Sequence, residues 1–287
     1  MRILVTGGNT GIGFALCKQL VLDHHAHVYL TARNPTKGQN AVTQIQSLME
    51  DNDDTSSSKS KGSVTFVPMD TSSDESVLSA SKVIRDDLMN RSSDDNKLYG
   101  LVNNAGVGLN TALAPEDLIN TNLYGPKRVC EAFLDLLDEQ NGRIVNLGSG
   151  SGPMYTSRCS DVDKKMLCHP EKASWEDIEK HANDNMNEGY VDVYGLSKAL
   201  LACYTGYFAN MHPNILTSCV TPGFIDTQMT RGYGASKTPD QGTLAIKHCL
   251  LDELEGNGWY YGSDGVRSPY HFMRNPGEPP YDGKAPF

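Results

Sequence analysis

A chain of 287 residues with a formal net charge of −10 is long enough for one large α/β domain with a well-buried core and too short for two full-sized enzyme domains. That acidic balance argues against a surface that neutralises nucleic-acid or anionic-membrane phosphates, so any phosphate-bearing ligand has to be held locally. Seven cysteines, odd in number and never in a Cys-x-x-Cys pair, suggest neither a disulfide framework nor a zinc site and point to a reducing, cytoplasmic compartment.

Met1-Arg2-Ile3-Leu4-Val5 enters a strand pattern directly, without a basic and apolar leader, and no apolar run reaches the ~18 residues that span a bilayer. Short apolar runs then alternate with amphipathic stretches. Strands are expected at Ile3 to Val5, His27 to Leu30, Val64 to Val67, Leu98 to Val102, Arg143 to Leu147, Ile215 to Val220 and Trp259 to Tyr261, with helices in the intervals. The alternation implies an α/β fold: one doubly wound, mostly parallel seven-stranded sheet of Rossmann type, forming a single domain over 1–287 and binding ligand at the carboxyl ends of its strands. Three segments read as additions: a polar loop at 51–62, a polar turn at 90–97 and a long insertion at 153–190. Within the insertion, Ser174-Trp175-Glu176-Asp177 has the form of a capped helix start, so a short helix is expected there. Residues 256–287 read as a last strand and an ordered tail draped over a surface.

Thr6-Gly7-Gly8-Asn9-Thr10-Gly11-Ile12-Gly13 follows the first strand and opens the first helix. Glycines there let the backbone approach a pyrophosphate, and the helix start offers it free N–H groups. Gly7, Asn9, Thr10, Gly11, Ile12 and Gly13 are the expected contacts; a ligand-free glycine turn is the bland alternative, and the strand-to-helix context counts against it. At the end of the second strand, an NAD site would carry an acid for the ribose 2′-hydroxyl. Here Ala32 leaves room and Arg33 can pair with a 2′-phosphate, so NADP(H) is the expected cofactor. Asp70 and Thr71 close the third strand, positioned to meet the adenine or else to cap the next helix. The cluster Asp23-His24-His25-Ala26-His27 lies at the start of the second strand, away from these motifs. It reads as a solvated loop, and no metal is expected.

Tyr194 and Lys198 are spaced to share one helix face. A free phenol titrates near pKa ~10, and an adjacent ammonium favours the phenolate, which would make Tyr194 an acid-base catalyst. The spacing alone is common on solvated helices; its company decides. Asn103-Asn104-Ala105-Gly106 closes the fourth strand, Asn122 lies mid-helix, Ser149 follows the fifth strand, and Pro222-Gly223-Phe224-Ile225-Asp226-Thr227 follows the sixth. In this order the motifs resemble the short-chain dehydrogenase/reductase family, from residue 2 to about residue 262.

The resemblance implies that Tyr194 is the general acid in carbonyl reduction, or the base in alcohol oxidation, and that Ser149 hydrogen-bonds the substrate oxygen. It gives Lys198 two tasks, holding the nicotinamide ribose and lowering the phenol pKa. Asn122 would anchor a water linking the lysine to solvent, and Thr227 would fix the nicotinamide carboxamide. Asn103, Ala105, Gly106, Pro222 and Gly223 fall at positions that contact the cofactor. The bland readings are a turn serine at Ser149 with Ser151 as the competing hydroxyl, a structural Asn122 and a helix-capping Thr227. The long separation of Ser149 from Tyr194, caused by the insertion, is similar to the monomeric carbonyl-reductase branch, in which the insertion covers the helix face used elsewhere for pairing subunits. A monomer is therefore expected. Thr10 departs from that branch, whose members often have a lysine there, so Arg33 would act alone or with Lys37.

The expected reaction is NADP(H)-dependent interconversion of a small-molecule carbonyl and an alcohol. The pocket would draw on Val107 to Leu109, the segment after Ser149, Phe224 to Tyr233 and the tail; Met154, Tyr155, Phe224, Met229 and Tyr233 suggest a bulky apolar substrate. A catalytically silent NADP(H)-binding sensor or scaffold is the alternative, and the complete set Asn122, Ser149, Tyr194 and Lys198 counts against it. A serine hydrolase would need a Gly-x-Ser-x-Gly elbow that Ser149 lacks.

Overall fold

Seven short apolar runs form the strands β1 (Arg2–Val5), β2 (His27–Ala32), β3 (Ser63–Pro68), β4 (Gly100–Asn103), β5 (Arg143–Leu147), β6 (Leu216–Val220) and β7 (Trp259–Tyr261). In the computed structural model, which describes residues 1–51, 61–90, 96–108, 113–187 and 192–287, they pair in the order β3-β2-β1-β4-β5-β6-β7. Every pair is parallel, so the expected mostly parallel sheet is wholly so. Leu98 does not open the fourth strand. It bridges Leu137 outside the ladder, and pairing begins at Gly100.

All residues of β1 and β4 are buried, as a parallel sheet covered on both faces requires. One face packs against α1 (Gly11–Leu22), α2 (Pro35–Asp51) and α10 (Leu244–Leu251) through Leu16, Leu20, Ile45, Ile246 and Leu250. The other is covered by α3 (Asp74–Met89), α5 (Gly125–Phe133) and α9 (Val193–Met211) through Ile84, Phe133, Leu200 and Tyr204. The order reverses between β1 and β4, and a crevice opens at the carboxyl ends of strands at such a switch point.

The insertion contains more helix than its composition suggests. Three helices fill it, α6 (Ser151–Arg158), α7 (Asp161–Cys168) and α8 (Trp175–Asn185), where one was expected. Pro153 is tolerated because it lies in the first turn of α6, where its missing N–H costs nothing. Ser160 caps α7 through the Asp163 amide, and Ser174 with Asp177 forms the capping box read from the sequence. Leu167, Ile178 and Ala182 are buried against the α9 side of the core, and Trp175 meets Tyr124 and Tyr204 edge-on at 5.5 and 6.0 Å. Most of the 51–62 loop and of the 90–97 turn, and Leu109, lie outside the described residues.

After β7 the tail turns back over the sheet's edge. The Ser268 amide donates to the Tyr260 carbonyl at 2.8 Å, Arg267 stacks 3.5 Å from the Trp259 ring, and His169 hydrogen-bonds the Phe287 carbonyl at 3.2 Å. Among the described residues no helix is long and apolar enough to cross a membrane.

Candidate active site

A cleft of about 980 Å³ runs along the carboxyl edge of the sheet, from the glycine turn after β1 to the start of α9. Gly7 and Gly11 take left-handed backbone conformations, φ +64° and +56°, that other residues rarely adopt. Gly13 lies beneath the turn rather than in the cleft: a Cβ there would collide with the Asn104 amide and the Gly7 carbonyl. Asn104 braces the turn, its amide donating to the carbonyls of Thr6 (2.8 Å) and Gly7 (3.2 Å), while the Ala105 amide donates to the Thr6 hydroxyl at 2.9 Å. Gly7, Asn9, Thr10, Gly11 and Ile12 line the cleft. The first turn of α1 carries no acidic residue, and Thr10 makes no side-chain cap, so the helix N–H groups remain available to an anion.

Further along, Ala32, Arg33, Asn34 and Lys37 line the cleft beyond β2. Arg33 and Lys37 are exposed, and among the described residues neither is held in an ion pair, a donor set suited to a phosphate monoester. Asp70 accepts from the amide and hydroxyl of Ser72, and Ser73, not Asp70 or Thr71, caps α3; both Asp70 and Thr71 border the cleft. A bare helix start, two glycines under φ > 0 and a pair of cations at the end of β2 fit a dinucleotide with a 2′-phosphate.

Asn103 is a correction. Its side chain does not line the cleft but is buried, donating to Asn146 on β5 at 2.8 Å, and Asn146 in turn donates to Thr205 on α9 at 3.0 Å. Strand alternation turns Asn103 inward, and its neighbour Asn104 takes the contact with the glycine turn. Ala105, Gly106, Pro222, Gly223 and Thr227 do border the cleft. A Cβ on Gly11 would approach the Thr227 methyl to 3.3 Å, so the turn and the segment after β6 meet closely. Thr227 also forms a capping box with Thr230 at a short 3₁₀ turn, in keeping with the alternative reading of this residue.

At the far end, Ser149, Tyr194 and Lys198 come together. Asp192 caps α9, accepting from the Gly195 amide at 2.9 Å, and so fixes the helix turn that carries the tyrosine. Gly152 lets α6 approach α9: a Cβ there would lie 3.0 Å from backbone atoms of Lys198 and Ala199. That contact holds the Ser149 turn against the face of α9 that carries Tyr194 and Lys198. The Ser149 hydroxyl accepts from the Ser151 amide at 3.2 Å and is near enough to the Tyr194 phenol to favour its ionised form, which sets it apart from Ser151.

Lys198 is buried. Its Nζ donates to the Leu147 carbonyl at 2.7 Å and lies 5.8 Å from the centre of the Tyr194 ring. Burial lowers its pKa to about 8. The expected lowering of the Tyr194 pKa does not hold for the protein alone. Burial raises it, the Ser149 hydrogen bond opposes that, and Asp192 adds to it. Desolvation outweighs the neighbouring hydroxyl because the phenolate loses water on most sides.

Asn122 sits in a π turn (Asn120–Tyr124) between α4 (Pro115–Ile119) and α5. Pro126 has no N–H for the Asn122 carbonyl, and the Gly125 amide reaches back to Asn120 instead. The Asn122 side chain accepts from the Val107 amide (2.9 Å) and donates to the Val107 carbonyl (2.8 Å) and the Ser197 hydroxyl (3.1 Å). It thereby ties the loop after β4 to α9 beside Lys198. Gly108, within the Val107 to Leu109 stretch expected at the pocket, does border the cleft: a Cβ there would lie 2.6 Å from the Tyr194 ring, so the loop backbone packs directly on the phenol. Of the expected apolar lining, Phe224 and Met229 border the cleft, whereas Tyr155 is in the core and Met154 and Tyr233 do not line it; Arg231 does.

Residues 1–160 match the family model described as short chain dehydrogenase. The chain is 29% identical over 289 residues to (+)-neomenthol dehydrogenase of Arabidopsis thaliana, covering 88% of this chain and 92% of that protein. It is 30% identical over 283 residues to carbonyl reductase (NADPH) 1 of Bos taurus, covering 89% and 92%. The solved structure of salutaridine reductase from Papaver somniferum superimposes with a TM-score of 0.73 at 26% identity, over 91% of this chain and 99% of that one. A glycine turn at the switch point, a hydroxyl pair beside a buried lysine, and a family match over more than half the sequence agree: this chain belongs to the short chain dehydrogenase family.

Proposed function

We propose that this protein is an NADP(H)-dependent oxidoreductase that interconverts a carbonyl and an alcohol on a bulky, largely apolar small molecule. One observation carries the reading: the hydroxyls of Ser149 and Tyr194 converge beside the Lys198 ammonium in the same cleft as the glycine turn. The names of the carbonyl reductase and neomenthol dehydrogenase relatives support the reaction class and the nucleotide. Bound NADP(H) supplies or accepts the hydride.

Each residue then has a task. Tyr194, kept protonated by burial, donates its proton to the carbonyl oxygen, and Ser149 holds that oxygen by a hydrogen bond. Lys198 spends one donor on the Leu147 carbonyl and keeps two for the ribose hydroxyls, while its charge favours the phenolate that forms. Gly7, Asn9, Thr10, Gly11 and Ile12 bind the pyrophosphate, Asp70 and Thr71 meet the adenine, and Ala105, Gly106, Pro222 and Gly223 shape the path between. Arg33 and Lys37 hold the 2′-phosphate, and Thr227 orients the carboxamide. Asn122 keeps the loop after β4 in register with α9 and anchors a water that returns protons to Lys198. Phe224 and Met229 give the substrate side an apolar lining.

The free state of all seven cysteines suits a reducing cytoplasm. The insertion helices, packed on the side of α9, leave the protein monomeric. Tyr194→Phe tests the chemistry, since it keeps the ring and removes the acid. Turnover of a carbonyl panel, followed by NADPH absorbance, falls at least ~100-fold while nucleotide affinity stays within about twofold. Unchanged turnover overturns the assignment.

A further inference from the structure

The tail after β7 carries no part of the motif set and none of the cleft lining, yet it returns to the backbone beside Ser149. It leaves the sheet at Tyr261 beside the segment after β6: the Thr221 amide donates to the Tyr261 carbonyl at 3.0 Å, and a Cβ on Gly223 would approach Ser263 to 3.1 Å. It then folds back over the Ser149 turn. A Cβ built on Gly150 would lie 3.0 Å from the Met273 sulfur, so the thioether rests on the backbone next to Ser149. Met273 is nonetheless 52% exposed, with much of its apolar surface still open.

The next residue explains why Met273 stays there. Arg274 is buried, paired with Asp264, and donates to the Ser268 hydroxyl (3.0 Å) and to the carbonyls of Asn275 (3.0 Å) and Glu278 (2.6 Å). Asp264 also accepts from the Gly277 amide at 3.1 Å, and Gly262 leaves room for the pair, since a Cβ there would meet Arg274, Asp264 and Ser268 within 3 Å. A buried guanidinium with this many partners is a fixed point, because breaking the pair would strand a charge out of water. A half-exposed methionine held by a rigid neighbour against the backbone next to Ser149 has the makings of an adaptable apolar contact.

We propose that Met273 is a specificity-determining residue: the tail, fastened by the Arg274–Asp264 pair, forms a wall beside Ser149 that takes the distal apolar part of a bulky carbonyl substrate. This rests on the oxidoreductase reading and extends it to a segment outside the dinucleotide fold. Met273 acts on substrate selection and leaves nucleotide binding alone, because the glycine turn and Arg33 lie at the other end of the cleft.

The test compares cyclohexanone with 4-phenylcyclohexanone, which share a reacting ring and differ by an apolar extension. In the wild type the phenyl compound has the higher kcat/KM with NADPH. Met273→Ala lowers that preference about fivefold and Met273→Glu lowers it further, with KM for NADPH within about twofold, as expected for losing part of one methionine's apolar contact. A preference unchanged in both variants overturns the wall while leaving the reaction class standing. If the wild type reduces neither ketone, the oxidoreductase reading fails, and equilibrium dialysis of 4-phenylcyclohexanone still decides the wall. Weaker uptake by Met273→Glu supports it; equal uptake by wild type and variant overturns it.

Discussion

The Lys198 ammonium lies 5.8 Å from the centre of the Tyr194 ring while donating to the Leu147 carbonyl at 2.7 Å, so one buried cation bridges the end of β5 and the proposed acid. Burial lowers its pKa to about 8, below that of an exposed lysine. The group is charged below that pH and neutral above it. NADPH affinity is therefore expected to hold below about pH 7, where the lysine is almost wholly charged, and to weaken as pH rises through about 8. Fluorescence titration of the nucleotide checks this, and Lys198→Met should abolish the dependence. The same depressed pKa makes the folded state release a proton that the unfolded chain keeps, so this group's contribution to stability rises with pH above about 8.

Arg33→Ala should separate the two nicotinamide nucleotides. Loss of charge-assisted hydrogen bonds to a 2′-phosphate weakens NADPH binding by about ten- to a hundredfold, and NADH, which has no such phosphate, binds nearly as before. Dissociation constants for both nucleotides are the measurement. A residual preference for NADPH in the variant would be carried by Lys37, and Arg33→Ala/Lys37→Ala removes it.

Asn122→Leu is near in size but leaves the Val107 amide and carbonyl without their partner, while the Ser197 hydroxyl keeps the Tyr194 carbonyl. Stranding these groups is expected to cost about 2 to 4 kcal/mol, seen as a lower urea midpoint at constant slope. Turnover should fall as well, because the same loop runs on to Gly108, which packs on the Tyr194 ring.

Ile178→Ala probes whether the insertion belongs to the fold. Ile178 is fully buried with Leu167, Ala182 and the apolar side of α9, and truncation should cost about 2 to 5 kcal/mol through lost burial and a cavity. Sedimentation of the wild type should give a single species near 31.3 kDa, and a dimer would contradict a covered pairing face.

The sheet and the residues that meet at its carboxyl edge were legible because their signals are local. Each strand is an apolar run between turns, and the glycine turn is spaced within one strand-to-helix junction, whereas Tyr194 and Lys198 gained meaning only from the ordered motifs around them. What the sequence withheld depends on partners far along the chain. Asn103 and Asn104 are adjacent and chemically alike, and only the register of β4 against β5 sends one to Asn146 and the other to the glycine turn. Tyr155 was assigned to the pocket with the segment after Ser149; once α6 forms, its inner face carries the ring into the core. The Tyr194 pKa was misjudged for a similar reason, since a neighbouring lysine is visible in the sequence and the loss of water around the phenol is not.

The brace from Asn104 to the Thr6 and Gly7 carbonyls joins two segments that are nearly a hundred residues apart. A fragment ending at Met89 would contain every glycine of the first turn and lack the side chain that holds their carbonyls. The brace is therefore a late property of this chain: the carbonyls of the glycine turn gain their side-chain donor only once the segment after the fourth strand has docked.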